Sequence, residues 1–390
     1  MIELEKIIET RELDIGEFSK KGVVFILNKK IYFYMNNLVK GGAERVIVQL
    51  AINFKKKGND VKIITSFQDE DEYILPTTIE RVNLEKKQDF GNRVIRNVRL
   101  IKKLRKIVKE EEPDILIAFM QEPNFRAILS TRFTKTKCLV SVRNDPKVEY
   151  AGFVGKIVSN LILPLADGCV FQTTDAKRYF SKSIQKKSRI IFNEVSELFF
   201  NVDHLPQKNI VTVGRIIEQK NQIMLINSFS KLLSSHNDRK LLIYGDGPLK
   251  KTLREYVKNI GLENYIYFMG LTDNVPDVLK KAELFVLTSN YEGLPNALLE
   301  ALAVGVPSIS TDCPCGGAKM VINNGENGFL IPVRNQEELT KKMRLLLDDK
   351  VLYSDFEIKS KESAKKFKPS IVFKEWEDYI ENILERNNLK

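Results

Sequence analysis

The chain has 390 residues, enough for two domains that each bury a core of their own. At 43% apolar and 29% charged residues it is not collagen-like, mucin-like or wholly disordered. Its apolar runs, residues 23–27 and 161–165 among them, fall far short of the roughly 18 residues that a bilayer span needs.

Four cysteines (Cys138, Cys169, Cys313, Cys315) are too few and too irregular for a disulfide scaffold, and Cys313-Pro-Cys315 has one residue too few for a redox or zinc pair. His204 and His236 stand outside any metal-ligand spacing, so no metal site is expected. The acidic start MIELEKIIETRELD lacks the basic and apolar segments of a signal peptide, which predicts reduced thiols and a cytoplasmic location. The formal charge is +11, and it is uneven. Residues 1–200 hold 36 Lys and Arg against 26 Asp and Glu, whereas residues 201–390 hold 26 against 25.

Taken in chain order, residues 1–28 fit no repeat and read as an extension. A strand at 31–35 then leads through the loop NNLVKGG to a helix ending at Gly58 and a strand from Asp60. Residues 93–109 carry eight basic residues and no acid, with Val94, Val98, Ile101, Leu104 and Val108 at helical spacing. Such a helix packs on a domain core, lies against anionic lipid at the inner face of a membrane as a peripheral contact, or does both. Nucleic acid is not expected, because no interleaved aromatics or recognition fold surround it.

Further strands are predicted at 114–119, 137–142, 168–171 and 189–193. After a polar connector come strands at 210–213, 240–244, 266–268, 284–288 and 307–310, with helical patterns between. This alternation predicts an α/β architecture of two Rossmann-like, doubly wound parallel sheets facing a cleft. The expected division is 29–193, a linker at 194–208, 209–368, and a terminal helix at 369–390 with Trp376, Tyr379 and Ile383 near one face.

Chemistry concentrates at the predicted carboxyl edges of the strands. In SNYEGLPNALLEALAVG, residues 289–305, a strand leads into a helix whose first amides, from Gly293 to Ala297, are free to meet anions or sugar hydroxyls. Glu292 lies just before that helix, and Asn296 and Glu300 are one turn apart on it. Most glutamates so placed are solvated helix-end acids. A second strand edge, VGRIIEQKNQ, adds Gly214 and the cations Arg215 and Lys220, which suit phosphate oxygens. The third is Gly41-Gly42-Ala43-Glu44-Arg45, where glycines let a ligand approach the backbone at a helix start.

Together GGAERV, GRxxxxK, the E-x7-E of EGLPNALLEA, STDCPCGGAKMVI and NGENGFLIPV resemble the retaining glycosyltransferase family four, of GT-B fold, from about Ile31 to the carboxyl end. The resemblance implies a hexosyltransferase that takes a nucleotide-diphosphate sugar such as a UDP- or GDP-sugar, without cofactor or metal. Its acceptor would be a glycan, lipid-linked in capsule, exopolysaccharide or O-antigen assembly.

It implies that Arg215 and Lys220 grip the donor diphosphate, Glu292 sits beside the donor sugar, and Glu300 binds the ribose. Gly41, Gly42, Gly214, Gly293, Leu294 and Asn296 would line the donor. Many members carry a histidine that this chain replaces with SVRNDP, so Arg143 or Asn144 contacts sugar or acceptor, or Arg143 pairs with Asp145 or another nearby acid. A soluble acceptor, or a non-catalytic GT-B partner that binds nucleotide or glycan, are the competing readings. A Rossmann dehydrogenase is disfavoured by the lack of G-x-G-x-x-G after either first strand. Asp69-Glu70-Asp71 reads as solvated surface, and Asp246 as part of a turn.

Overall fold

Apolar runs separated by amphipathic stretches build two parallel sheets. The structure is a computed structural model that describes residues 28–87 and 91–386, so nearly all of the expected amino-terminal extension lies outside the described residues. The first sheet contains β1 (Lys30–Met35), β2 (Asp60–Thr65), β3 (Glu80–Asn83), β4 (Ile115–Phe119), β5 (Lys137–Val142), β6 (Gly168–Phe171) and β7 (Ser188–Ile190). Their order is β3-β2-β1-β4-β5-β6-β7, parallel throughout.

The second sheet contains β8 (Asn209–Val213), β9 (Lys240–Tyr244), β10 (Ile266–Gly270), β11 (Leu284–Leu287), β12 (Ser308–Thr311) and β13 (Phe329–Ile331), in the order β10-β9-β8-β11-β12-β13. Strands β3 and β13 are additions to the sequence reading. Both are short edge strands, and β3, with the sequence ERVN, has no fully buried residue to announce it.

Strands covered on both faces need apolar residues at every position. In β1, Ile31, Phe33 and Met35 enter one core while Tyr32 and Tyr34 enter the core on the opposite face, as a period of two requires. The buried Tyr34 hydroxyl is satisfied by Ser66 Oγ at 2.9 Å.

The basic helix, Arg93–Glu111, bears out the predicted stripe at Leu104 and Val108 and corrects it at Val94 and Val98. Leu100, Leu104 and Val108 are buried, but Val94, Ile95 and Val98 are 71, 67 and 49% exposed. Val98 stands two residues, about 200° of helical rotation, from Leu100 and so faces away from the core. Most of the helix's cations are also engaged within the domain. Arg93 pairs with Glu122, Arg96 and Arg99 with Glu85, while Lys103 and Arg105 donate to backbone carbonyls.

After the second sheet the chain returns to the first domain. The closing helix, Pro369–Glu385, buries Trp376, Tyr379, Ile380 and Ile383 in the core that contains Phe119, Leu139 and Val170. The two interdomain crossings lie side by side, with Val195 N–H donating to the Phe367 carbonyl at 2.8 Å. Phe192 and Phe367 meet edge to face beside that bond.

Tyr379 Oη accepts from the Cys169 amide at 3.0 Å and donates to the Lys187 carbonyl, tying the closing helix to β6. Tyr379→Phe leaves that buried amide without its acceptor and is expected to cost about 1–3 kcal/mol. Urea unfolding followed by the fluorescence of the single tryptophan, Trp376, measures the loss. An unchanged midpoint would show that the hydroxyl does not anchor the helix.

Candidate active site in the interdomain cleft

Strands β8 and β11 are neighbours, with Ile210 beside Leu284 and Val211 beside Phe285, at the point where the sheet order reverses. Their carboxyl ends therefore open onto one crevice, and the two loops that leave them lie together. Thr288 Oγ1 shares its proton between the Lys220 and Asn221 carbonyls, each at 3.0 Å, and Asn290 N–H donates to the Gln219 carbonyl at 2.7 Å.

Held in this way, Lys220 Nζ pairs with Glu292 Oε1, and Ser289 Oγ donates to the same oxygen at 2.7 Å. Arg215 makes no bond to either glutamate. It is exposed, and its charge reaches Glu44 of the first domain, whose carboxyl is pushed up by burial and pulled down by that arginine.

The Glu292 loop is fastened to the next loop in both directions. Glu292 N–H donates to the Pro314 carbonyl at 2.7 Å, and Cys315 N–H donates to the Glu292 carbonyl at 2.9 Å. The helix expected to meet the sugar donor, Asn296–Val304, follows. Among the described residues the amides of Gly293 and Asn296 have no partner, so they remain available to a ligand.

A Cβ on Gly293 would fall 2.3 Å from the Arg143 carbonyl, so only glycine permits the two domains to approach there. Gly42, at the start of the loop helix Gly42–Lys56, also approaches the second domain, less tightly: a Cβ there would meet Asn296 Nδ2 at 3.0 Å. The starts of the two helices thus face each other across the cleft.

Glu300 does not join Glu292. Its Oε1 lies 2.7 Å from Arg45 of the loop helix, and its side chain is almost fully buried. Glu194, on the crossing segment, also feels the Arg45 charge. Burial nevertheless pushes its carboxyl up to about 7, and its Oε2 is unpartnered among the described residues. The sequence reading quoted Arg45 within GGAERV but gave it no role; its place in the first turn of a helix leaving a strand edge was the available signal.

Asn193 was also missed. Its Nδ2 donates to Asn296 Oδ1 at 2.6 Å, and its Oδ1 accepts from Arg143 Nη1 at 2.8 Å. Arg143 itself is only 8% exposed, with its guanidinium 4.1 Å from the Phe119 ring centroid and 5.4 Å from that of Trp376. Burial lowers its pKa to about 9 and leaves Nε and Nη2 unpartnered among the described residues.

The expected alternative, a pair with Asp145, does not form, because Asp145 accepts from the Lys147 amide at 2.9 Å. Asn144 accepts from the Asp145 amide at 2.9 Å. Elsewhere, Asp69 pairs with Lys87, and Asp246 closes its turn on the Gly247 amide at 2.7 Å.

A cavity of about 460 Å³ opens between the domains next to the loop that is bonded to Glu292. Asp145, Lys147, Asp175 and Tyr179 face Asp312 and Lys319 across it. Its mixture of carboxylates, ammonium groups and one phenol suits a hydroxyl-rich ligand more than an apolar one.

Residues 40–196 match the family model described as Glycosyltransferase Family 4, and residues 196–366 match that of Glycosyl transferases group 1. An α-1,4-N-acetyl-D-galactosaminyltransferase of Campylobacter jejuni, named for a diphospho-undecaprenol-linked substrate, is 27% identical over 353 residues, which cover 89% of this chain and 97% of the relative. An uncharacterised glycosyltransferase of Methanocaldococcus jannaschii is 29% identical over 340 residues, covering 72% and 82%.

Among solved structures, HepE of Anabaena in complex with UDP and glucose has a TM-score of 0.75 at 16% identity, covering 90% of this chain and 99% of that one. The lipopolysaccharide outer core galactosyltransferase WaaB gives 0.73 at 18% identity, with the same coverage. With the two family models joined at residue 196 and the same two-sheet architecture in these solved structures, the chain belongs to glycosyltransferase family 4, of GT-B fold.

Proposed function

We propose that this enzyme moves a hexose-type sugar from a nucleoside diphosphate to a lipid-linked glycan in the assembly of a surface polysaccharide, with retention of configuration and without a metal. The observation that carries this reading is the Lys220–Glu292 pair, set at the carboxyl ends of adjacent strands beside the start of the donor helix.

Cleavage of the bond between the anomeric carbon and the diphosphate leaves positive charge on the sugar and negative charge on the phosphate oxygens. Lys220, Arg215 and the free amides of Gly293 and Asn296 would offset the negative charge, while Glu292 would accept hydrogen bonds from the sugar hydroxyls. Lys220 and Glu292 neutralise each other, so neither stands as a bare buried charge. The acceptor hydroxyl would attack from the face that the diphosphate leaves, passing its proton to a leaving phosphate oxygen. The cavity lined by Asp145, Asp175, Tyr179 and Asp312 offers the acceptor sugar a place beside Glu292.

A lipid-linked acceptor fits the undecaprenol-linked substrate in the Campylobacter relative's name and a surface feature of the first domain. No described helix is long and apolar enough to cross a membrane. Val94, Ile95 and Val98 nevertheless stand exposed in the first two turns of the basic helix, with Lys102 exposed farther along it. That helix follows β3 and so begins near the carboxyl edge of the sheet, where the cleft lies. Phe153 and Val154, in the segment after β5, are likewise exposed, with Lys156 beside them. Because most cations of the basic helix are engaged inside the domain, apolar insertion outweighs charge in this version of membrane contact.

Lys220→Ala and Glu292→Gln should each slow donor-sugar hydrolysis or transfer on the order of a hundredfold, in protein that stays folded by circular dichroism but melts somewhat lower, because the other member of a mostly buried pair loses its partner. Wild-type rates in both variants, measured with a panel of UDP- and GDP-sugars, would refute the assignment. Sedimentation with phosphatidylglycerol vesicles should retain the wild-type protein and lose about tenfold in affinity for Val94→Asp combined with Phe153→Asp. Equal sedimentation of variant and wild type would remove this surface from the mechanism.

A further inference from the structure

Glu300 is the more deeply buried of the two cleft glutamates, and its cation comes from the opposite domain. Burial raises its pKa, and Arg45 opposes that effect. Arg45 in turn lies between two acids, Glu300 at 2.7 Å and Glu194 within reach of its charge. About a third of the Arg45 side chain remains exposed, and Glu300 is its ion-pair partner among the described residues. The pair sits one helical turn from Gly42 and from Asn296, where the two helix starts are closest.

We propose that Arg45 is an exchangeable cation, holding Glu300 while the cleft is empty and passing to the donor diphosphate when a nucleotide binds, so that Glu300 is freed to accept the ribose hydroxyls. This rests on the reading of the cleft as a nucleotide-sugar site. A guanidinium fork suits phosphate oxygens as well as carboxylate oxygens. An incoming diphosphate attracts Arg45 and repels the two acids beside it. A carboxylate that loses its cation in a buried position requires other donors, and a vicinal diol supplies two. Phosphate recognition by one domain and ribose recognition by the other are then coupled through a single side chain.

Coupling of this kind has a signature that a structural ion pair lacks. A nucleoside without phosphates must displace Arg45 from Glu300 while giving it no new partner, whereas a nucleoside diphosphate supplies that partner. Removal of Arg45 should therefore change the two affinities in opposite directions.

The full chain is first screened with UDP, GDP, ADP and CDP by thermal shift. Dissociation constants for the diphosphate that binds, and for its parent nucleoside, are then measured with wild type, Arg45→Ala and Arg45→Lys. In Arg45→Ala the diphosphate should weaken about tenfold, equivalent to ~1.4 kcal/mol, while the nucleoside tightens several-fold. Arg45→Lys should recover much of the diphosphate affinity. In a Glu300→Gln background, Arg45→Ala should no longer change nucleoside affinity, because the competitor acts only through that carboxylate.

Affinities that weaken together, or that both stay at wild-type values, overturn the exchange. Should Arg45→Ala unfold, Arg45→Lys carries the same comparison with smaller shifts. If the wild type binds none of the four diphosphates, the nucleotide-sugar reading itself falls; if it binds one and the split is missing, only the role of Arg45 does.

Discussion

A carboxylate withdrawn from water needs a cation or several hydrogen-bond donors, and the cleft holds two such carboxylates at the start of one short helix. Glu292 takes its cation from the neighbouring loop of its own sheet, and Glu300 takes one from the facing domain. The first pair fixes the local shape of the second domain's edge, because Lys220 and Glu292 sit on loops that are also bonded through Thr288 and Asn290. The second pair links the two domains. The cleft therefore has an intradomain polar anchor and an interdomain one, held by glutamates on a loop and on the helix that follows it.

The adjacency of β8 and β11 is what turns sequence motifs into a site. Their loops are far apart along the chain, yet the sheet order puts both at the reversal point, as doubly wound topology dictates. That much was legible beforehand, since two-sided burial makes the strands conspicuous and each functional motif directly follows one. The same logic failed for β3, whose alternating polar residues on an exposed edge give no apolar run. It also misled at the basic helix. Spacing runs the stripe from Val94 and Val98 through Ile101 to Leu104 and Val108; packing buries Leu104 and Val108 as expected but takes Leu100 in place of the first two valines.

Arg45 and Arg143 mark the other limit of sequence reading. An arginine in the first turn of a helix resembles any solvated surface charge, and nothing local indicates that Glu300 will face it from another domain. Arg143 was noticed because it replaces a familiar histidine, but its environment depends on three distant segments. Phe119 comes from β4, Asn193 from the crossing and Trp376 from the closing helix. Pairwise contacts between remote segments are set by topology, and local periodicity carries no record of them.

Those contacts also tie the carboxyl-terminal helix to the cleft. A desolvated guanidinium with one strong hydrogen bond is costly, and the aromatic faces of Phe119 and Trp376 offset part of that cost. The bond that Arg143 does make holds Asn193, and Asn193 holds Asn296 at the start of the donor helix. The closing helix is thus connected through Trp376, Arg143 and Asn193 to a residue beside the free amides of the cleft. Since the chain crosses between domains twice, with the two crossings bonded at Val195 and Phe367, a hinge motion must move both strands together. Two bonded crossings, braced by the closing helix, resist rotation of one domain against the other more than a single crossing would.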